Sequence, residues 1–133
     1  EQGISVVDAE MRLVAWNRRY LELFDYPDGM VYTGCPVADL IRYNAEQGEC
    51  GPGLIDAHVE KRIRHMREGS PHIFERIRPD GQVLELRGRP VPGGGFVTTF
   101  ADITHFKRTE HTLAEAKTEL EERVALRTAE RQL

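Results

Sequence analysis

From Thr104 to Leu133 the chain carries no Gly and no Pro, six basic and six acidic residues, and apolar residues Phe106, Leu113 and Leu120 seven apart. Val124 adds a four-residue step. That spacing predicts one uninterrupted helix, roughly 45 Å long if complete, with a narrow apolar seam of coiled-coil period. The run Gly95–Ala101, rich in aromatic and β-branched residues, leads into it through Asp102, Ile103 and Thr104. The helix has no sequence partner for its seam within the chain, so the pattern predicts a parallel pairing with a second copy. Beyond Val124 the seam passes through Arg127 and Arg131. A weak, partly charged seam suits helices that change register or pitch, because a fully apolar zipper locks one state. A single solvated helix is the alternative reading of the same residues.

Length and charge narrow the function. The 133 residues hold one domain plus an appendage. Residues 1–103 contain twelve Lys/Arg and sixteen Asp/Glu, a balance of −4. This mildly acidic body argues against nucleic acid as a partner, which needs concentrated basic surface. No apolar run approaches a membrane span, and no secretory leader is visible. Cys35 and Cys50 make no CxxC pair and have no His at ligand spacing, so two free thiols in a reducing cytoplasm is the expectation. The chain starts close to its first strand and stops inside a helix, as a piece of a longer protein would.

Turn residues divide the body. Strands are expected over Ile4–Asp8 and Arg12–Trp16, then a helix capped by Asn17 over Arg18–Phe24. Pro36 opens a second short helix from Val37 to about Tyr43. The stretch Gln47–Gly53 is a loop by composition, and Leu54–Glu68 is helical in spacing. On that helix Ile55, Val59, Ile63 and Met66 form the face expected toward a cavity, with His58, Arg62 and His65 on another. Three strands follow, His72–Arg78, Gln82–Val91 and Phe96–Ile103, separated by Pro79-Asp80-Gly81 and by Pro92 to Gly95. The last is apolar on both faces, which predicts a central position. The expected fold is α+β: a five-stranded antiparallel sheet with short helices on one face, followed by a long C-terminal helix. The expected division is a core over 1–103 and a signalling helix over 104–133.

This order of elements resembles a PAS domain. The residues that carry the likeness are Gly3-Ile4, Asp8, Trp16-Asn17, Gly34-x-Pro36-x-x-Asp39-Leu40, Glu75 to Gly81, Glu85-Leu-Arg-Gly88-x-Pro90, Gly94 to Val97 and Asp102-Ile103-Thr104. The stretch from Arg42 through Gly48-Glu-Cys-Gly51 to Gly81 is similar to the subgroup found in bacterial hybrid sensor histidine kinases, and Glu119–Glu130 is similar to linkers that feed their dimerisation helix. The resemblance implies a homodimer, formed through the C-terminal helix and the outer sheet face, with a kinase domain downstream in cis. It also implies a cavity between sheet and helices for a small molecule, names no ligand, and is consistent with an empty cavity. Asp102-Ile103-Thr104 is the junction through which such cores transmit state to the output helix.

Several side chains carry candidate chemistry. Glu75 shares its alternating face with Ile73 and Ile77. If that face meets the helices, its carboxylate enters the cavity and needs an Arg, Tyr43, Asn44 or a polar ligand, because an unpaired buried charge is costly. Thr99 is a candidate to share that role from the central strand. Arg76, Arg78, Glu85 and Arg87 are expected as outer-face pairs. At the junction, Thr104 is suited to cap the helix and Asp102 to face its dipole. A haem reading of His58 and His65 is opposed by helical phase, and a flavin photosensor is opposed by Cys35 standing before a proline. No His cluster has metal spacing.

The reading that follows is a non-catalytic sensory and dimerisation module of a bacterial signalling protein, with a hybrid histidine kinase as parent. Alternatives from the same residues are a module driving a diguanylate cyclase, a ligand-free dimerising spacer, and a small-molecule enzyme. The last needs a buried acid–base pair, for which Glu75 is the single candidate.

Overall fold

The sheet is ordered β2-β1-β5-β4-β3, with every neighbouring pair antiparallel, from strands β1 (Gly3–Val7), β2 (Leu13–Trp16), β3 (His72–Ile77), β4 (Val83–Pro90) and β5 (Phe96–Asp102). This is a computed structural model that describes residues 2–132, with side chains described for 2–125. Helices α1 (Arg18–Phe24), α2 (Val37–Glu46) and α3 (Ile55–Glu68) connect β2 to β3, and α4 (Thr104–Gln132) follows β5. The chain divides into two compact units, one ending at Asp102 and the other beginning at Ile103.

β5 is the central strand because both of its faces are apolar enough to be covered. Phe96, Thr98 and Phe100 are buried, while Val97, Thr99 and Ala101 alternate with them on the opposite face at partial exposure. Cross-strand partners share a face, so the register carries this alternation sideways. Phe100 opposes Leu86, Thr98 opposes Gly88 and Ser5, and Phe74 opposes Leu86 in turn. Leu84 and Leu86 are fully buried at the middle of this surface.

Asn17 sets the angle at which α1 leaves the sheet. Its Oδ1 accepts from the backbone N–H of Tyr20 and of Ile4, both at 3.0 Å, and its Nδ2 donates to the Gln2 carbonyl at 2.8 Å. One side chain therefore caps the helix and clips it to β1. The placement lets Tyr20, Leu23 and Phe24 pack with Leu84, Leu86 and Phe100 in one apolar cluster. A second cluster joins Leu13, Cys35, Val37, Leu40, Val59, Met66 and Phe96. α2 and α3 are tied at the surface by Arg42 to Asp56 at 2.6 Å.

α4 is a 29-residue helix. Phe106, Leu113, Leu120 and Val124 are each more than half exposed. Its flanks carry i,i+4 pairs, His111 with Glu115 and Arg123 with Glu119, both at 2.9 Å, each worth a few tenths of a kcal/mol (about 0.2–0.5). Arg127 and Arg131, which continue the sequence seam, lie outside the described side chains.

Gly88 is a packing requirement of the sheet. A Cβ there would collide with the Phe96 ring and meet the His72 ring at 2.8 Å. Those two rings stack over it, 5.3 Å between centroids at 17°. Gly88→Ala must push one of them aside, and a loss of about 1–3 kcal/mol is expected. Urea unfolding of the variant checks this; an unchanged midpoint would show that the rings yield freely.

Candidate functional site

Between the sheet and α2–α3 lies a small cavity of about 30 Å³, lined among others by Ser5, Asn44, Cys50, Arg62, Arg76 and Thr98. It has room for about one water-sized group. Outside it, along the free edge of β3 and against α3, runs a larger groove of about 660 Å³. His58, Lys61, His65, His72 and Phe74 are among the residues lining that groove. Cys50, Arg62 and Arg76 line both spaces and so stand at the boundary between them.

Arg62 reaches this boundary from α3, where it shares a stripe with Val59 and Met66 at i, i+3 and i+7 spacing. Its guanidinium lies 4.7 Å from the centroid of the Phe74 ring, a cation–π contact that compensates part of its desolvation. Burial, and then the charge of Arg76, lower its pKa to about 10. Arg76 arrives from β3 opposite Leu84, and so on the helix-facing side of the sheet. His72 is placed over Gly88, and its Nε2 is buried with no hydrogen-bond partner. Burial first, and Arg62 second, hold its pKa below the ordinary histidine value.

The cavity wall is fixed by a chain of polar contacts. Asn44 Nδ2 donates to the Tyr26 hydroxyl at 2.9 Å, and the Tyr26 and Tyr20 hydroxyls are 2.9 Å apart. Tyr43 packs its ring on Tyr26 at 5.5 Å. Burial pushes the Tyr26 phenol up to about 12 and raises that of Tyr20 as well, which also feels Tyr26. The loop after α2 is held from below by Glu49. Its carboxylate pairs with Arg78 at 2.7 Å, and both side chains are largely buried. Arg78 also donates to Gln82 Oε1 at 2.8 Å and lies 5.5 Å from the Phe24 ring centroid.

These positions correct parts of the sequence reading. Ile73 and Ile77 are 64% and 74% exposed, and Glu75 lies on their face, away from the helices. Register decides it: Phe74 and Arg76 stand opposite the buried Leu86 and Leu84, so they are the inward pair. Glu75 contributes instead to the rim of the outer groove. In β5 the inward threonine is Thr98, and Thr99 takes the opposite face. Arg76 and Arg78 are not outer-face partners of Glu85 and Arg87. Arg78 pairs with Glu49, while Glu85 and Arg87 pair with each other at 2.6 Å. Of the four proposed pocket residues, Asn44 lines the cavity and Tyr43 braces its wall through Tyr26.

Arg62 was expected to turn away with His58 and His65, but it faces the cavity. The two histidines line the outer groove. His58 Nε2 lies 3.0 Å from the Pro52 carbonyl, and the His65 ring contacts that of His72. Among the described residues no group of three or more His, Cys, Asp or Glu is placed to hold a metal ion. No helix there is long and apolar enough to cross a membrane. Asp102 closes β5, and its Oδ2 accepts from Gln82 Nε2 at 3.3 Å.

A five-stranded antiparallel sheet carrying three short helices over a small internal cavity defines a class of sensory modules. A family model described as the PAS fold matches residues 1–111, and the chain belongs to that family. Solved structures agree in fold. The PAS domain of BvgS from Bordetella pertussis superimposes with a TM-score of 0.57 at 23% identity, over 86% of this chain and 88% of that one. A domain of an HTR-like protein from Haloarcula marismortui gives 0.50 at 15% identity, over 77% and 97%. The PAS domain of the quorum-sensing receptor RpfR from Cronobacter turicensis, solved with C12:0, gives 0.50 at 20%, over 77% and 93%. No curated protein matches the chain.

Two expectations follow from the polar framework. Arg78→Met leaves Glu49 buried without its countercharge and is expected to cost about 3–5 kcal/mol. Urea denaturation measures it, and a cost under about 1 kcal/mol, the range of exposed pairs, would mean that Glu49 finds solvent. The tyrosine pair gives an alkaline limit. Unfolded phenols ionise near 10, whereas Tyr26 stays protonated to about 12. Between those values the folded state binds more protons than the unfolded one, so stability falls as pH rises. The stabilisation is full below about pH 10 and lost on approaching 12. Urea midpoints across that range should fall less steeply in Tyr26→Phe than in the wild type; parallel curves would assign the loss to other groups.

Proposed function

We infer that this domain senses a small molecule or a conformational input and passes it to a dimeric output helix in a bacterial sensor kinase, most specifically a hybrid histidine kinase. The observation that carries the reading is α4. A helix that leaves Phe106, Leu113, Leu120 and Val124 each more than half exposed, at coiled-coil spacing, has a seam built for a second copy of itself. The outer face of the sheet supports the same assembly, because Ile4, Val14, Ile73 and Ile77 expose apolar surface there.

In this mechanism the input changes the balance between two arrangements of the sheet, and the paired helices report that balance. Asp102, Ile103 and Thr104 are the residues through which sheet and helix are coupled. The buried cavity and its groove supply the input, with Asn44 in the wall and Arg62 and Arg76 at the boundary.

Sedimentation velocity on the 133-residue chain tests the assembly. A concentration-dependent dimer is expected at micromolar concentrations, and Leu113→Asp with Leu120→Asp should weaken it by at least about tenfold while leaving the domain folded by circular dichroism. A wild type that stays monomeric, or a double variant that dimerises as well as the wild type, would refute the paired-helix reading.

A further inference from the structure

We propose that Arg62 and Arg76 form the head-group site of a small organic carboxylate that enters along the groove beside β3. This rests on the reading of the domain as a ligand sensor and names the class of ligand. Two guanidiniums border one cavity whose lining contains no acidic side chain. The nearby carboxylates are committed elsewhere. Glu49 is paired with Arg78 at 2.7 Å and Asp56 with Arg42 at 2.6 Å, and Glu75, on the opposite face of β3 from Arg76, stands at the rim of the outer groove and not in the inner cavity. Among the described residues neither Arg62 nor Arg76 makes an ion pair. Burial first, and the charge of Arg76 second, lower the proton affinity of Arg62, whose guanidinium lies 4.7 Å from the Phe74 ring centroid. A fold rarely keeps two like charges in a partly buried site without a counterion.

The dimensions select the counterion. The inner cavity of about 30 Å³ has room for a group the size of one water. One oxygen of a planar carboxylate fits that space and the planar group matches the guanidinium fork, whereas a tetrahedral oxyanion is bulkier. The rest of the molecule must lie in the outer groove, where Phe74, Ile73 and Ile77 offer apolar surface and Lys61 and His65 offer donors. A short organic acid with an aliphatic or aromatic body satisfies both halves.

The test is calorimetric titration and thermal unfolding of the 133-residue chain with succinate, hexanoate and benzoate at constant ionic strength, with sulfate as the tetrahedral control. At least one carboxylate is expected to bind saturably and raise the unfolding temperature, with sulfate having no comparable effect. Arg62→Met and Arg76→Met should each weaken binding at least tenfold, Arg62→Lys by less, and Arg67→Met, outside the groove, not at all. Unliganded Arg62→Met should unfold no earlier than the wild type, because a repulsive charge has been removed. If none of the three acids binds, if sulfate binds as well, or if both methionine variants bind like the wild type, the assignment fails. Dimerisation is read separately: a monomer that binds an acid through both arginines upholds this site while overturning the paired helix. A dimer indifferent to all three acids does the reverse.

Discussion

The position of β5 between β1 and β4 is the constraint on which the rest of the domain depends. Antiparallel pairing on both sides ties three strands to one alternation, so the burial of Phe96, Thr98 and Phe100 also dictates which residues of β4 and β3 turn inward. Leu84 and Leu86 follow β5, and Phe74 and Arg76 follow β4. A slip of one residue would reverse every side chain. It would place Glu75 under the helices and leave Arg76 outside. The charge of the cavity is thus a consequence of register.

Glycine and histidine make that register tight at the end of the sheet near β3. His72 and Phe96 stack over Gly88 because no side chain stands between them. The stack leaves His72 Nε2 buried and without a partner, a polar cost that the ring packing must offset. At the other end, Arg78 crosses from the edge of β3 to Glu49, whose loop also supplies Cys50 to the cavity boundary. The loop after α2 is irregular in backbone but anchored by a buried charge pair, and this is how a glycine-rich segment holds one wall of a cavity.

Much of this fold was legible in the sequence. Turn residues marked the elements: Asn17 opens α1 and Pro27-Asp28-Gly29 follows it, Gly69 ends α3, and Pro79-Asp80-Gly81 separates β3 from β4. The two-sided apolar character of Phe96–Ala101 identified the central strand. The face of β3 was not legible, because its six residues place Ile73 and Ile77 on one phase and Phe74 on the other. Hydrophobicity favoured the isoleucines, but an edge strand takes its orientation from its neighbour. Arg62 was missed for a related reason. Its i, i+3 relation to Val59 was visible, yet a charged residue is discounted when a core face is counted, although its cation packs on Phe74. The Glu49–Arg78 pair joins residues 29 apart and leaves no local signal.

The two units place different demands on their residues. The domain ending at Asp102 hides its polar groups in specific partners, as in Asn44 with Tyr26 or Glu49 with Arg78. α4 instead exposes its apolar residues and surrounds them with solvent-facing ion pairs, which are too weak to hold a structure by themselves. A cavity bordered by two cations that make no ion pair among the described residues and a helix that exposes an apolar seam share one physical property. In the proposed assembly each would gain stability when occupied. Anything that binds the more favourable of two states shifts the population toward it by the difference in affinity. In that proposal, occupancy of the arginine site and pairing of the seam would influence each other through a difference in sheet geometry that both of them sense. Asp102 closes the central strand and accepts a hydrogen bond from Gln82 in the β3–β4 turn, and in the proposed mechanism a difference in sheet geometry would leave the sheet there.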